Sequence, residues 1–294
     1  MTYRPTTSLI ATIAAGFVLA ACADPNPTAT PTVSNATPSF DRAGDAPGTH
    51  RQYGTPIKLG NGRARSYVTL LKGVPLEVGV AFDETALQGL RGPMPPMGGM
   101  EGDEGHEHLD SDMYTLALPA QNPTPYKFIE LDWNPAGHEP AGIYTLPHFD
   151  FHFYKIDVAE RDAILPSDPA FVTKSANVPA AEFMAPFAFS PPPLIAVPAM
   201  GVHWIDIRSP ELQPPPNNKK FTTTFINGTY NGKVIFQEPM ITREFILSKP
   251  NVTIPVPVAA RSTPAGYYPS AYSITYDAQA KEHRIALAQL EWRN

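Results

Sequence analysis

The chain has 294 residues, and its 22 basic and 28 acidic side chains give a formal net charge of −6 at pH 7. A mildly acidic surface argues against binding to nucleic acid and against electrostatic attachment to a membrane. The sequence holds one cysteine, which excludes a disulfide within the chain.

The amino-terminal segment predicts a secretory signal. Arg4 supplies a positive charge, and residues 9–21 form an apolar run of 13 residues. That run is shorter than the about 20 apolar residues that span a bilayer. It ends in Leu-Ala-Ala-Cys, whose cysteine is Cys22, and this sequence resembles the lipobox of bacterial lipoproteins. We therefore expect cleavage after residue 21 and lipidation of Cys22; the alternative is an ordinary signal peptide with a chance cysteine.

The expected lipid on Cys22 anchors the protein to a membrane of the cell envelope, facing the periplasm or the exterior. Ala23 follows the cysteine where inner-membrane retention is associated with Asp, which favours the outer membrane. Residues 22–50 are rich in Pro, Thr, Ser and Asn and predict a disordered tether. Residues 51–294 then form the folded part, as one domain.

The folded part is predicted to be mainly β. Its prolines, 35 in the whole chain, separate short apolar runs and disfavour long helices. Many short strands with turns between them indicate an antiparallel sandwich or barrel-like domain. The predicted strands are Arg65–Leu71, Leu76–Phe82, Met113–Leu118, Phe128–Trp133, His148–Ile156, His203–Ile207, Phe221–Asn227, Lys233–Gln237, Tyr272–Tyr276 and Arg284–Trp292.

Two or three short helices are expected between these strands. Asp83 is a favourable N-cap for a helix over residues 83–90. Val158–Leu165 and Ala180–Met184 are the other candidates. Residues 227–232, with the sequence NGTYNG, predict a hairpin loop.

The heptapeptide HFDFHFY over residues 148–154 alternates with the period of a strand. One face is aromatic and belongs in a core. The opposite face carries His148, Asp150, His152 and Tyr154. Imidazole nitrogens and carboxylate oxygens are the usual ligands of Zn, Mn, Fe and Cu. A polar, hydrogen-bonded strand face at an interface or in a cavity is the alternative interpretation.

Spacing limits how these ligands can cooperate. Residues two apart on a strand are about 6.6–6.8 Å apart, and residues four apart are roughly 13 Å apart. His148 and His152 can therefore share one ion only if the strand is bulged or strongly curved. Otherwise Asp150 with one histidine is the natural pair.

Three further segments can supply ligands to the same ridge. They are Gly-His-Glu-Pro with His138 and Glu139, Met-Gly-Val-His-Trp with His203, and Gln-Glu-Pro-Met with Glu238. We predict a site for Zn, Cu or Mn whose ligands are His148, His152, His203 and Glu238. His138, Glu139 and Asp150 are expected to support these ligands or to replace one of them.

A separate segment, residues 93–112, is predicted to be an inserted loop between the helix at 83–90 and the next strand. Its thioethers suit Cu(I), and its imidazoles and carboxylates suit Cu(II) or Zn. The candidate ligands are Met94, Met97, Met100, His106 and His108. The alternative is a solvated, acidic, low-complexity loop.

The run DWNPAGHEPAGIYTLPHFDFHFY at residues 132–154 is similar to the signature of an uncharacterised bacterial family of exported proteins, typified by a sigma-E-regulated Thermus protein. The resemblance continues in VTLLKGVPLEVGVAFDETALQGL (68–90), MGVHW (200–204) and INGTYNGKVIFQEPMIT (226–242), and so covers most of residues 60–294. It implies a β-rich, oligomeric domain without an assigned activity. Its motif positions here are His138, Glu139, His148, Asp150, His152, His203 and Glu238.

The sequence leaves three functions open. It has no Gly-x-Ser-x-Gly elbow, no phosphate-binding glycine loop and no dinucleotide fingerprint. The leading interpretation is an envelope-anchored, non-enzymatic metal-binding domain. The second is a metal-dependent periplasmic enzyme, an oxidoreductase or hydrolase, with Glu139 or Glu238 as a proton shuttle. The third is a structural, ring-forming homo-oligomer without metal.

Overall fold

A computed structural model describes residues 48–94 and 111–294. Strands dominate these residues and form two antiparallel sheets, which confirms the predicted mainly-β class as a sandwich and not as a closed barrel. In the described part of the chain, no helix has the length and apolarity needed to cross a membrane. The predicted signal and Cys22 lie outside the described residues, as do Met97, Met100, His106 and His108.

Fourteen strands make up the two sheets of the described residues. They are β1 (Thr49–Tyr53), β2 (Ile57–Leu59), β3 (Gly62–Leu71), β4 (Val74–Asp83), β5 (Asp112–Ala117), β6 (Phe128–Asn134), β7 (His148–Tyr154), β8 (Ala188–Phe189), β9 (Val202–Asp206), β10 (Thr223–Tyr230), β11 (Lys233–Thr242), β12 (Val252–Pro255), β13 (Gly266–Asp277) and β14 (Glu282–Arg293). The first sheet has the order β1-β3-β4-β14-β13-β12, with β2 paired to β3. The second has the order β5-β6-β7-β11-β10-β9-β8.

The main core lies between the sheets. Phe149, Phe151 and Phe153 of β7 are fully buried there, as the period-two pattern predicts. Phe82 of β4 reaches them from the first sheet, with its ring centroid 6.5 Å from that of Phe151. The opposite face of β7 therefore points away from the main core.

That outer face of the second sheet is also covered. Two smaller apolar clusters lie on it, one around Phe171 and Phe236 and the other around Tyr144 and Phe221. The residues of the first cluster come partly from the long connection between β7 and β9, and those of the second partly from the loops before β7 and β10. The polar side chains of β7 on this face are therefore buried, although they lie outside the main core.

Three short α-helices are present: α1 (Val158–Asp162), α2 (Phe171–Ala176) and α3 (Arg243–Leu247). The predicted helices at 83–90 and 180–184 are single 3₁₀ turns, at Glu84–Leu87 and Ala181–Phe183. A third 3₁₀ turn is formed by Pro210–Leu212. Asp83 caps the first of these turns through bonds from the backbone N–H groups of Thr85 and Ala86, as expected.

All ten predicted strands are present, but the hairpin between β10 and β11 is tighter than predicted. Only Asn231 and Gly232 form its turn, with φ of 47° and 76°, because both residue types tolerate the left-handed backbone that such a turn requires. β11 also continues past its predicted end, through Pro239 to Thr242. Its pairing with β7 passes from Gln237↔Phe153 to Met240↔Asp150, so the ladder is interrupted beside the proline, which has no N–H to donate.

Candidate metal centres in a His/carboxylate pocket

Three adjacent strands, β6, β7 and β11, place the polar side chains next to each other on the outer face. The β6–β7 register sets Glu130 opposite His152 and Asp132 opposite Asp150, without a shift from Phe128 to Asn134. On the other side, β11 is in register with β7 on both sides of Glu238. Strand pairing alone therefore brings imidazoles and carboxylates together.

The first group of candidate ligands is the His–Glu centre, formed by His152, His203 and Glu238. Glu238 Oε2 lies 3.4 Å from His152 Nε2 and 3.8 Å from His203 Nε2. One ligand atom from each of the three residues lies within 4.8 Å of the others. This group is able to hold a metal ion.

A carboxylate lies behind the His–Glu centre. His152 Nδ1 lies 3.3 Å from Asp132 Oδ2, on the side of the ring opposite Glu238. Metal-binding imidazoles commonly have such a carboxylate behind them, which fixes the ring and increases its basicity. The neighbouring Glu130 forms a buried ion pair with Arg161 of α1.

The second group is the His–Asp centre, formed by His138, His148 and Asp150. Asp150 Oδ1 lies 3.1 Å from His148 Nε2, and its Oδ2 lies 3.3 Å from His138 Nε2. The ligand atoms again lie within 4.8 Å of one another. Asn134 Nδ2 donates a 2.7 Å hydrogen bond to Asp150 Oδ2 and fixes the carboxylate.

The backbone orients both imidazoles of the His–Asp centre. His148 Nδ1 lies 2.6 Å from the carbonyl oxygen of Leu146, and His138 Nδ1 lies 2.7 Å from that of Glu139. A carbonyl oxygen only accepts, so each Nδ1 carries a proton and donates it. Each Nε2 is thereby directed at Asp150.

A glycine makes room for an aromatic ring beside the His–Glu centre. Gly228 of β10 pairs with His203 on one side and Phe236 on the other. A Cβ at Gly228 would collide with the ring of Phe236. That ring in turn contacts His152, at 4.9 Å between centroids, and His203, at 5.4 Å.

Burial and charge shift the proton affinities of these groups in opposite directions. Burial alone lowers the pKa of His152, but Glu238 and Asp132 raise it to about 10. Burial raises the pKa of Glu238 to about 8 against the opposing charge of His152. In the other centre, burial acts against the charged form of Asp150, yet His148 and His138 hold its pKa well below its ordinary value.

Polar atoms without a hydrogen-bond partner concentrate on the outer face of β6, β7 and β11. Among the described residues, eight of the thirteen buried side-chain N and O atoms without such a partner belong to this face. They come from Glu130, Asp132, His148, Asp150, His152 and Glu238. Buried polar groups normally have partners, so these atoms offer unused donor and acceptor positions to a group that binds there.

Both centres open into one cavity of about 610 Å³. Its floor includes His138, Asp150, His152, His203 and Glu238. Its walls are mostly apolar and include Ile143, Tyr144, Phe189, Ile195, Ile205 and Met240. A concave, mainly apolar pocket of this size with a few polar groups at its base is typical of small-molecule sites.

The structure divides the predicted ligand set. His152, His203 and Glu238 come together, whereas His148 lies with His138 and Asp150 in the other group. No bulge brings His148 and His152 to one point. Tyr154, the last residue of the ridge, donates to the carbonyl of Ala199 instead of joining a centre.

Two other predicted positions lie apart from the centres. Glu139 lies at the edge of the cavity, where its carboxylate accepts from the backbone N–H of Ala141. Met94, the one described member of the predicted copper loop, is exposed.

Sequence reasoning missed Glu130, Asp132 and Asn134, although their pattern was present. They alternate with the core residues Ile129, Leu131 and Trp133, which is the same period-two signal as in β7.

Comparison with known proteins identifies a family that part of the chain resembles. No curated protein and no solved structure is significantly similar to the chain. A family profile does match residues 72–133, a segment that contains β4, β5 and most of β6 and therefore includes Glu130 and Asp132. The matched family is TTHB210-like, described as "Hypothetical protein TTHB210", and the match confirms over this segment the resemblance that the sequence motifs carry.

Proposed function

We propose that the chain is a metal-binding protein that holds a divalent transition metal at the His–Glu centre and presents it to a small-molecule pocket. The observation that carries this proposal is the convergence of ligand atoms from His152, His203 and Glu238 within 4.8 Å of one another. The unpaired buried atoms of His152 and Glu238 support it, since a cation bound there satisfies both residues.

The donor set favours zinc. Two imidazole nitrogens and one carboxylate oxygen form a ligand set used by zinc sites that keep a position open. Copper and manganese accept the same donors and remain alternatives. The centre has three convergent ligands among the described residues and faces the cavity, which suits binding of a further molecule.

The pocket favours a second candidate function, a metal-dependent enzyme. A bound metal ion would act as a Lewis acid and lower the pKa of a water molecule or polarise a carbonyl group. The chain itself would then position a mostly apolar substrate against Phe189 and Ile195. Glu139 at the cavity edge is the available carboxylate for proton transfer. A screen of ester, amide and phosphoester substrates with metal-loaded and metal-stripped protein tests this candidate.

The first test is elemental analysis of protein purified without an affinity tag or chelator. We expect His203→Ala to lower the bound metal by about one ion per chain, because the centre loses a ligand. His50→Ala is the control, since His50 is on β1 of the other sheet. Metal content far below one ion per chain in the original protein, even after incubation with Zn, Cu or Mn, would contradict the proposal and favour a structural oligomer without metal.

We also propose that the protein works in the cell envelope, anchored through lipid on Cys22 and facing the periplasm or the exterior. The apolar run and the lipobox-like sequence support this location. Labelling cells with a radioactive fatty acid should mark the original protein but not a Cys22→Ser variant. A homo-oligomer, as the family resemblance implies, stays a prediction, and light scattering of the detergent-solubilised protein tests it.

A further inference from the structure

We propose that the His–Asp centre is a second, independent metal site in the same pocket, with His138, His148 and Asp150 as ligands for a divalent transition metal. It deepens the proposed function by adding a second ion, but its ligands are entirely different from those of the His–Glu centre. Each site can therefore be removed without touching a ligand of the other.

The orientation of the ligands is the first argument. Both imidazoles donate Nδ1–H to backbone carbonyls, which leaves both Nε2 atoms pointing at one carboxylate. Metal-binding histidines are fixed in this way, with one nitrogen held by an outer acceptor and the other directed at the metal. Both outer partners, the carbonyls of Glu139 and Leu146, belong to the backbone of the connection between β6 and β7.

The unsatisfied atoms are the second argument. His148 and Asp150 are almost completely buried, yet His148 Nε2 and Asp150 Oδ1 have no hydrogen-bond partner. The two atoms lie 3.1 Å apart, within the distance of an ion pair. Leaving buried polar atoms without hydrogen bonds is unfavourable, and a shared cation removes this cost for both.

The strand spacing separates the two sites. Asp150 and His152 are two residues apart on a strand whose pairing with β6 is regular, which corresponds to a separation of about 6.6–6.8 Å along the strand. Two metal ions that act together on one bond are about 3.5–4 Å apart. The described residues also place no carboxylate in both groups. We therefore expect two ions that bind without a bridging ligand.

Equilibrium dialysis of the full-length, detergent-solubilised protein against zinc tests the inference. We expect about two ions per chain for the original sequence, and about one each for His138→Ala and His203→Ala. His138 is the best target in its centre because it lies in a loop, so its loss is better tolerated than that of His148 within β7. The double variant should bind none at these sites, and circular dichroism checks that each variant is folded.

Two controls keep the result interpretable. A variant with both His106→Ala and His108→Ala removes the imidazoles of the acidic loop and should still bind two ions. His50→Ala should do the same.

The outcomes separate the two proposals. One ion that is lost in His203→Ala and retained in His138→Ala would overturn the second site and leave the proposed function standing. The reverse pattern would overturn the His–Glu centre and support the second site. No bound zinc in the original sequence would overturn both.

Discussion

Each fully buried imidazole of the two centres has one ring nitrogen next to a fixed acceptor. For His148 the acceptor is a backbone carbonyl, and for His152 it is the carboxylate of Asp132. The second arrangement can be tested by mutation because the acceptor is a side chain. Asp132 is fully buried and touches the ring from behind, so it acts by positioning His152.

Asp132→Asn should weaken zinc binding at the His–Glu centre by about 10–100-fold, because the amide orients the ring less strongly and makes it less basic. Competition with a chromophoric chelator measures the change. Asp112→Asn is the matched control, because Asp112 pairs with Arg91 at the start of an edge strand. An unchanged affinity in Asp132→Asn would show that the carboxylate does not support the metal ligand.

Proton competition gives a prediction of pH dependence. The flanking carboxylates overcome the effect of burial and raise the pKa of His152 to about 10, so the metal-free ring is protonated at neutral pH. A metal must displace that proton. Zinc affinity should therefore decrease as the pH falls, by about tenfold per pH unit for each proton displaced. The same chelator assay at about pH 6 and about pH 8 measures it. Equal affinities at both values would be inconsistent with a protonated centre.

The residues of the site could be predicted in type but not in grouping. The alternation of β7 identified its polar face, and the separate motifs identified His138, His203 and Glu238. The sequence placed His148 and His152 in one candidate site, although their spacing of four residues argued against it. The division into two centres depends on the partners of each histidine, and those come from different loops and strands.

At the level of elements, the strands that the sequence did not reveal share one property. β1, β2, β8 and β12 all lie at sheet edges or outside the main path of a sheet. An edge strand pairs on one side and is partly exposed, so it lacks the apolar run or clear alternation that predicts a central strand. The central strands β3, β4, β7 and β11 show that signal because they are paired on both sides and packed layers bury their side chains.

Close packing between β10 and β11 supports the His–Glu centre. Gly228→Ala should force the buried ring of Phe236 to move and destabilise the protein by about 1–3 kcal/mol. Urea denaturation of the metal-free protein measures the change. Gly92→Ala is the control, since a Cβ there meets no atom of the described residues within 4 Å, and it should change stability by less than about 0.5 kcal/mol. Equal stabilities for the two variants would mean that the ring relocates at no cost.

At the scale of the whole molecule, the two sheets have different roles. The first sheet contributes none of the six candidate ligands, and its buried histidine, His283, packs as a core residue against Phe82. Burial lowers the pKa of His283 to about 4, which keeps its ring neutral. The second sheet uses one face for the sandwich core and the other for the pocket.

The sequence predicted the sandwich because alternation and turns are local properties. It did not predict that loops would cover the outer face of the second sheet. That cover is formed by irregular segments such as residues 189–197, whose prolines and exposed aromatic and aliphatic side chains give no periodic signal. The pocket is therefore formed only when segments that are far apart in the sequence come together in the folded chain.

Anomalous diffraction at the zinc absorption edge, from crystals of the zinc-loaded protein, tests the metal proposal most directly. A peak within bonding distance of His152 Nε2, His203 Nε2 and Glu238 Oε2 is the expected result. A zinc-loaded crystal without a peak there, or with its peaks only in residues 93–112, would contradict the proposed function.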